Sequence, residues 1–302
     1  MPLLSIIIPT FNRRELLRRT LASIPASDDV GVIVVDDGST DGTMEMLRSM
    51  GGQVMAIQQS QQGPGAARNR GAAAASGEYL AFLDSDDLWF EWTPAAYRKT
   101  IERHNRPAFI AGKPKIFNDE SELAAEKCGE LQTLAFGDYL ASGDEWRWWG
   151  ASSFVIRRDA FNVVDGFCSR SDLNGEDHDL AMKLGTAAGF VQIQAPSTFA
   201  YRRHPGSAMR DMPRTYAGLQ LAIDQEAAGR YPGGPGRRGE RLQILCRQLR
   251  AGSAQLLDAG YKHEAMDIYR RTWKWNAQLG RWKYLLGFGG RLLLGKSRAD
   301  KR

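Results

Sequence analysis

Tyr79-Leu-Ala-Phe-Leu-Asp-Ser-Asp-Asp-Leu-Trp89 is the stretch whose reading decides the fold. Its first half, Tyr79 to Leu83, is an unbroken apolar run, as expected of a strand buried on both faces of a parallel sheet. The run stops at three carboxylates in four positions, Asp84, Asp86 and Asp87. In open α/β sheets, ligands gather at the carboxyl ends of the strands. Three acids at such an end repel one another unless a cation or several donors share them. Hard divalent cations take carboxylate and phosphate oxygens together. The plainer alternative is an acidic turn in which Asp86 or Asp87 caps the next segment of chain.

The flanking sequence supplies the rest of such a sheet. Leu4 to Ile8, Val30 to Val35 and Val54 to Gln58 read as strands. Arg13 to Ile24, Thr43 to Met50 and Ala66 to Ala75 read as the helices between them. Units of about thirty residues alternating strand and helix imply right-handed crossovers and a parallel sheet. The ends of the first, second and fourth strands are all polar and line one cleft. Downstream, a helix is expected from Glu91 to about Arg106, then strands at 108–111, 115–117 and 152–156. A helix starting at Gly175 carries Glu176 and Asp177 in its first turn, and closing strands come after it at 191–193 and 198–202. Asn118 to Gly129 reads as a mobile polar loop. Trp146-Arg-Trp-Trp149 is an aromatic cluster suited to stacking on a sugar ring or to packing under a loop. The nucleotide-binding fingerprints are missing. Gly63-Pro-Gly65 follows the wrong strand and lacks its third glycine, and no Gly-Lys-Ser/Thr phosphate loop occurs. Phosphates would need a metal and side chains, which favours the metal reading of the acids.

Charge divides the chain. Of 40 Lys and Arg, 21 lie in residues 200–302 with only 8 Asp and Glu; residues 1–199 hold 19 against 27. From Met212 on, strand signals vanish and helices are expected at 215–230, 240–259, 262–278 and 282–294. Trp273, Trp275, Trp282, Tyr284 and Phe288 lie among Arg and Lys there. Such a segment suits an anionic membrane surface or a solvated helical bundle, and both readings stay open. It carries no nucleic-acid module, so no nucleic-acid partner is expected. Cys128, Cys168 and Cys246 are odd in number and widely spaced, which fits a reducing compartment. No signal peptide is visible, and no run reaches the ~20 apolar residues of a membrane span. A cytoplasmic protein, peripheral on the cytoplasmic face of the membrane where the tail binds it, is the resulting expectation.

The ordered pieces Ile7-Ile-Pro-Thr-Phe-Asn12, Val34-Val-Asp-Asp-Gly-Ser-Thr-Asp41, Gly65-Ala-Ala-Arg-Asn-Arg-Gly71, Leu83-Asp-Ser-Asp-Asp-Leu88, Gly175-Glu-Asp-His-Asp179 and the His204 region resemble the inverting family 2 glycosyltransferases. The resemblance covers about residues 3–207. It implies a GT-A fold: α/β, Rossmann-like, with a mostly parallel central sheet flanked by helices. This would occupy residues 1–207, with a helical extension over 208–302. It also implies transfer of a sugar from a nucleoside-diphosphate sugar, UDP-linked by preference, to a hydroxyl of a glycan or lipid-linked acceptor. On this resemblance Pro9, Thr10 and Phe11 line the base pocket, and Asp37 accepts from the base. Arg68 lies near the ribose or phosphates. Asp84 and Asp86 meet the ribose and the metal-bridged diphosphate. Asp86, Asp87 and His204 are metal contacts for Mg²⁺ or Mn²⁺. Asp177 is the catalytic base, supported by Glu176. A nucleotidyltransferase on the same scaffold and an inactive sugar-nucleotide-binding or scaffolding protein are the competing readings.

Overall fold

The computed structural model describes residues 2–145, 150–204 and 211–294; the Trp146–Trp149 cluster and the stretch after His204 up to 210 lie outside them. Four strands build the parallel half of the main sheet: β1 (Leu4–Thr10), β2 (Val30–Asp36), β3 (Met55–Gln58) and β4 (Tyr79–Phe82). The crossovers are α1 (Arg14–Ser23), α2 (Thr43–Ser49) and α3 (Pro64–Ala74). β1 is buried along its whole length because β2 and β4 pair with its two edges while helices cover its faces. Its register sets Thr10 opposite Asp36 and Ile7 opposite Phe82. The three polar strand ends are therefore level, as the sequence suggests.

The chain continues through β5 (Leu88–Trp89), α4 (Thr93–Arg103), β6 (Phe109–Ala111), β7 (Pro114–Phe117), β8 (Gln132–Phe136), β9 (Phe154–Arg157), α5 (Arg158–Val163), α6 (Glu176–Lys183), β10 (Phe190–Ala195) and β11 (Phe199–Arg202). Among the described residues the main sheet has the order β3-β2-β1-β4-β9-β6-β10-β8. β9 is antiparallel to both its neighbours and β8 to β10, so the other six strands share one direction. A second sheet, β5-β11-β7, draws Leu88 and Trp89 against the strand that ends at Arg202. β5, β8 and α5 are additions to the sequence reading. The polar loop expected at 118–129 contains one short regular element. Asp119 caps a short 3₁₀ helix, Glu120–Leu123, by accepting from Ser121 N–H, and Glu122 reaches back to the Asp119 N–H. This reciprocal capping box satisfies backbone donors at the start of a 3₁₀ turn that has no buried side chain of its own.

The chain forms two compact units. One comprises the described residues up to Tyr139, 150–171 and 187–204, and contains both sheets. Its core joins Leu4, Ile6, Ile8, Val34, Tyr79, Ala81, Ile110 and Val155. The other comprises the helices after residue 211 together with Leu140–Glu145 and Asp172–Thr186. Its helices are α7 (Met212–Ala227), α8 (Arg238–Asp258), α9 (Lys262–Gln278) and α10 (Trp282–Leu294), plus α6. Leu245, Leu249, Leu256, Ala265 and Ile268 are buried in α8 and α9. Tyr269 Oη donates to the Leu285 carbonyl, and Tyr284 shares a hydrogen bond with Ser253, which fastens α10 to α9 and α8. Asp172–Thr186, which precede residue 207 in the sequence, thus group with the tail helices.

Candidate active site

Where β4 ends, Leu83 N–H donates to the Ile7 carbonyl, and the backbone turns so that Asp87 N–H donates to the Asp84 carbonyl. That turn gathers the acids. Oxygens of Asp84, Asp86 and Asp87 lie within 4.8 Å of one another. Each acid has a different set of partners. Asp84 accepts from Arg68 Nη2 at 2.6 Å. Asp86 Oδ2 accepts from Arg13 and lies 2.8 Å from His204 Nε2. Asp87 is 1% exposed and accepts from Ser152 Oγ at 2.6 Å and from Arg202 N–H at 3.0 Å. Burial, then the neighbouring charges of Asp86 and Asp84, push the Asp87 carboxyl well above the usual carboxylate range; the Ser152 and Arg202 hydrogen bonds pull the other way. Mutually repelling carboxylates, two of them (Asp86 and Asp87) buried, form the hard-donor set that suits Mg²⁺ or Mn²⁺, so these residues fit a divalent ion. His204 borders the cluster through Asp86.

Three residues that hold this turn escaped the sequence reading. Ser152 Oγ accepts from Asp84 N–H and donates to Asp87, bridging the two ends of the acidic run. Arg202 Nε donates to the Asp86 carbonyl, its Nη2 donates to Glu120, and its guanidinium lies 4.6 Å from the Phe117 ring centre. Arg13 follows Phe11 and Asn12 at the end of β1, and that position was the one available sequence signal. Ser152 and Arg202 reach the acids only through the β4–β9 and β5–β11 pairings, which no local pattern announces.

The ends of the neighbouring strands lie level with these acids. Thr10 is buried, and Phe11 is 38% exposed beside it. Asp37 N–H donates to the Thr10 carbonyl at 2.8 Å. The Asp37 carboxylate accepts from Gln59 Nε2, Gln62 N–H and Gly63 N–H, all within 2.7–2.8 Å, so it shapes the loop that enters α3. Asp36 accepts from Ser39 N–H. Thr10 Oγ1 and Asp36 Oδ2, at paired register positions, are buried with no hydrogen-bond partner among the described residues. Pro9 is buried in β1. The Gly65–Gly71 run of α3 is resolved into separate duties. A Cβ at Gly65 would sit 2.2 Å from the Cys168 carbonyl oxygen, and one at Gly71 would sit 2.5 Å from an Ile7 methyl. Asn69 exchanges hydrogen bonds with both backbone groups of Phe167. Arg68, packed 5.2 Å from the Phe167 ring centre, is thereby aimed at Asp84.

Asp177 and Glu176 belong to the second unit. They open α6 after Gly175, whose φ of 95° favours a residue without a side chain. Asp177 Oδ1 accepts from His178 N–H at 2.8 Å and lies 3.0 Å from His178 Nδ1. Glu176 is half-buried.

The family model described as glycosyl transferase family 2 matches residues 5–164, more than half of the chain. The chain belongs to glycosyl transferase family 2. Among its relatives, this family 2 chain is 40% identical over 176 residues to an uncharacterized glycosyltransferase of Nostoc sp. strain PCC 7120, covering 53% of the chain and 52% of the relative. It is 42% identical over 94 residues to the GalNAc(5)-diNAcBac-PP-undecaprenol beta-1,3-glucosyltransferase of Campylobacter jejuni, covering 29% and 30% respectively. The chain thus spans about half the length, or less, of these curated relatives. Its fold is that of solved GT-A enzymes. S. aureus TarS 1-349 in complex with UDP-GlcNAc aligns with a TM-score of 0.59 at 18% identity, covering 93% of this chain and 92% of that one. The mannosyltransferase PcManGT of Pyrobaculum calidifontis, in complex with GDP-Man and Mn²⁺, aligns at 0.55 and 18%, covering 98% and 88%. Among the described residues, no helix is long and apolar enough to cross a membrane.

Proposed function

We propose that this family 2 chain transfers a sugar from a nucleoside-diphosphate sugar, UDP-linked by preference, to a hydroxyl of a glycan or lipid-linked acceptor, with inversion, in cell-envelope polysaccharide or glycan biosynthesis. The observation that carries the proposal is the cluster of Asp84, Asp86 and Asp87 at the level ends of parallel strands, ringed by Arg13, Arg68 and His204. Asp84, Asp86 and Asp87, with His204 beside them, would hold Mg²⁺ or Mn²⁺. Such an ion neutralises charge developing on a leaving diphosphate.

The chain's own residues divide the remaining work. Phe11 offers the base an accessible aromatic face, with Pro9, Thr10 and Asp37 behind it. Arg68 and Arg13 place positive charge where the diphosphate would lie. Asp177, supported by Glu176, takes the proton from the acceptor hydroxyl. The leaving group is already activated, so the paired acid and base of a glycosidase is not required. Acceptor recognition is assigned to the 118–130 segment, the Trp146–Trp149 cluster and the helical tail. An anionic membrane surface on the cytoplasmic side is the tail's proposed partner.

Calorimetry with UDP, GDP, dTDP, ADP and CDP, each with Mn²⁺ and with chelator, tests the donor side. One nucleotide should bind in the presence of Mn²⁺, and Asp86→Ala should weaken that binding about a hundredfold, the loss of one charged ligand group. Absence of binding by every nucleotide overturns the proposal in favour of a scaffolding role. Release of pyrophosphate rather than a nucleoside diphosphate on turnover would mark a nucleotidyltransferase.

A further inference from the structure

Asp179, two residues after Asp177, is 2% exposed, yet it is a carboxylate. Lys183 Nζ lies 2.7 Å from its Oδ2, and Tyr231 Oη donates to its Oδ1 at 3.1 Å. Tyr231 is itself buried, in the Gly- and Pro-rich loop between α7 and α8. That loop is pinned in turn. Arg241 Nη1 donates to the Pro232 and Gly234 carbonyls, while Nε and Nη2 of the same side chain grip Glu226 in a buried fork. The other flank of α6 is fixed just as closely. Asn174 N–H donates to the Arg214 carbonyl at 2.9 Å, and α7 approaches until a Cβ at Gly218 would lie 1.7 Å from the Asn174 carbonyl oxygen. The first turn of α6 is therefore held on both sides, by a bare-backbone contact before Glu176 and by a buried acid after Asp177.

A phenyl ring at position 231 would fill the same space, and an apolar residue at 179 would avoid the cost of burying a carboxylate. The hydroxyl and the carboxylate supply direction, which packing alone does not. We propose that Tyr231, Asp179 and Gly218 are positioning residues that set the place and rotation of the α6 turn bearing Asp177, so that the helical tail is a working part of the transferase. This rests on the assignment of Asp177 as base.

The test uses the full chain, with UDP-GlcNAc, UDP-glucose and GDP-mannose supplied in turn with Mn²⁺ and transfer to water followed as nucleoside-diphosphate release. Tyr231→Phe should lower kcat about ten- to a hundredfold, the scale of a small misplacement of a catalytic group. It should leave UDP and GDP affinity within about twofold of the parent on the tenfold-per-1.4-kcal/mol scale, because every donor-side residue lies in the other unit. Amide hydrogen exchange should quicken over residues 175–180 and stay unchanged over 79–87. Gly218→Ala should reproduce the kcat loss; if it does not fold, Tyr231→Phe decides. Asp177→Asn separates the two claims. If Asp177→Asn turns over normally, or the parent turns over none of the three donors, the base assignment fails and this inference falls with it. If Asp177→Asn is inactive while Tyr231→Phe matches the parent in kcat and in exchange, the positioning inference alone is overturned.

Discussion

Ser152 shows how much of the acidic site depends on one hydroxyl. It accepts from Asp84 N–H and donates to Asp87, both in the tight turn after β4. Removing it leaves a backbone donor and a buried carboxylate short of a partner. An unmet buried polar group costs about 1–3 kcal/mol, and more when it is charged. Ser152→Ala should therefore destabilise the fold by about 2–3 kcal/mol, read as a lower urea midpoint at unchanged slope. Mn²⁺ should restore part of that loss by sharing the carboxylate oxygens, since an ion that binds only the folded state stabilises it. A midpoint within experimental scatter of the parent would mean that the Asp84–Asp87 turn holds itself, and the bridging role of Ser152 would be wrong.

At the scale of elements, the decisive contacts are those in which a helix brings its backbone against a neighbour. The Gly65 end of α3 lies on the Cys168 carbonyl, and Asn69 one turn later clasps Phe167 from both sides. This seating points Arg68 at Asp84. Gly65→Ala would put a methyl 2.2 Å from a backbone oxygen that has no rotamer to give. It should cost about 2–3 kcal/mol, as overpacking does, and weaken nucleotide binding through displacement of Arg68. Gly129→Ala, where a Cβ meets open space, should move the melting temperature by less than a degree or so on the few-degrees-per-kcal/mol scale. Equal effects of the two substitutions would dismiss the seating argument. The same contacts explain what the sequence could tell. β1, β2, β4 and their crossovers follow from apolar runs and helical periodicity, and the acids from an abrupt end to one run. β5 is two residues long, and β9 reverses direction between β4 and β6. Both are set by partners far along the chain, so the sites of Ser152 and Arg202 were illegible although both residues were in plain view. The Asp37 carboxylate illustrates the same limit. Its motif announces a site, but only the fold shows that Gln59, Gln62 and Gly63 occupy its oxygens.

For the molecule as a whole, the distribution of charge bears on where it works. Residues 262–291 carry seven Lys and Arg against two acids. α9 and α10 also expose Trp273, Trp282 and Leu286, at 44%, 54% and 76%. Trp282 and Leu286 are four apart and so share a face of α10, with Lys283 exposed beside them. Phe288 and Leu285 turn inward and anchor the helix. Exposed single hydrophobics are ordinary on protein surfaces; a tryptophan and a leucine flanked by cations instead match the face of an interfacial helix. Each basic side chain near an anionic leaflet contributes about 1 kcal/mol, so the electrostatic part of binding should fade as salt shortens the screening length. The chain should therefore sediment with phosphatidylserine-containing vesicles at low salt, and much less at 0.5 M salt or with pure phosphatidylcholine. Trp282→Ala with Leu286→Ala should weaken vesicle binding about tenfold or more through lost apolar burial, while circular dichroism and nucleotide affinity stay unchanged, because both side chains are exposed. Vesicle binding that survives the double substitution but vanishes with salt would reduce the tail to a diffuse positive field. No vesicle binding at low salt would leave α10 as the solvated face of a helical bundle, and the tail's contribution would rest on its grip on α6.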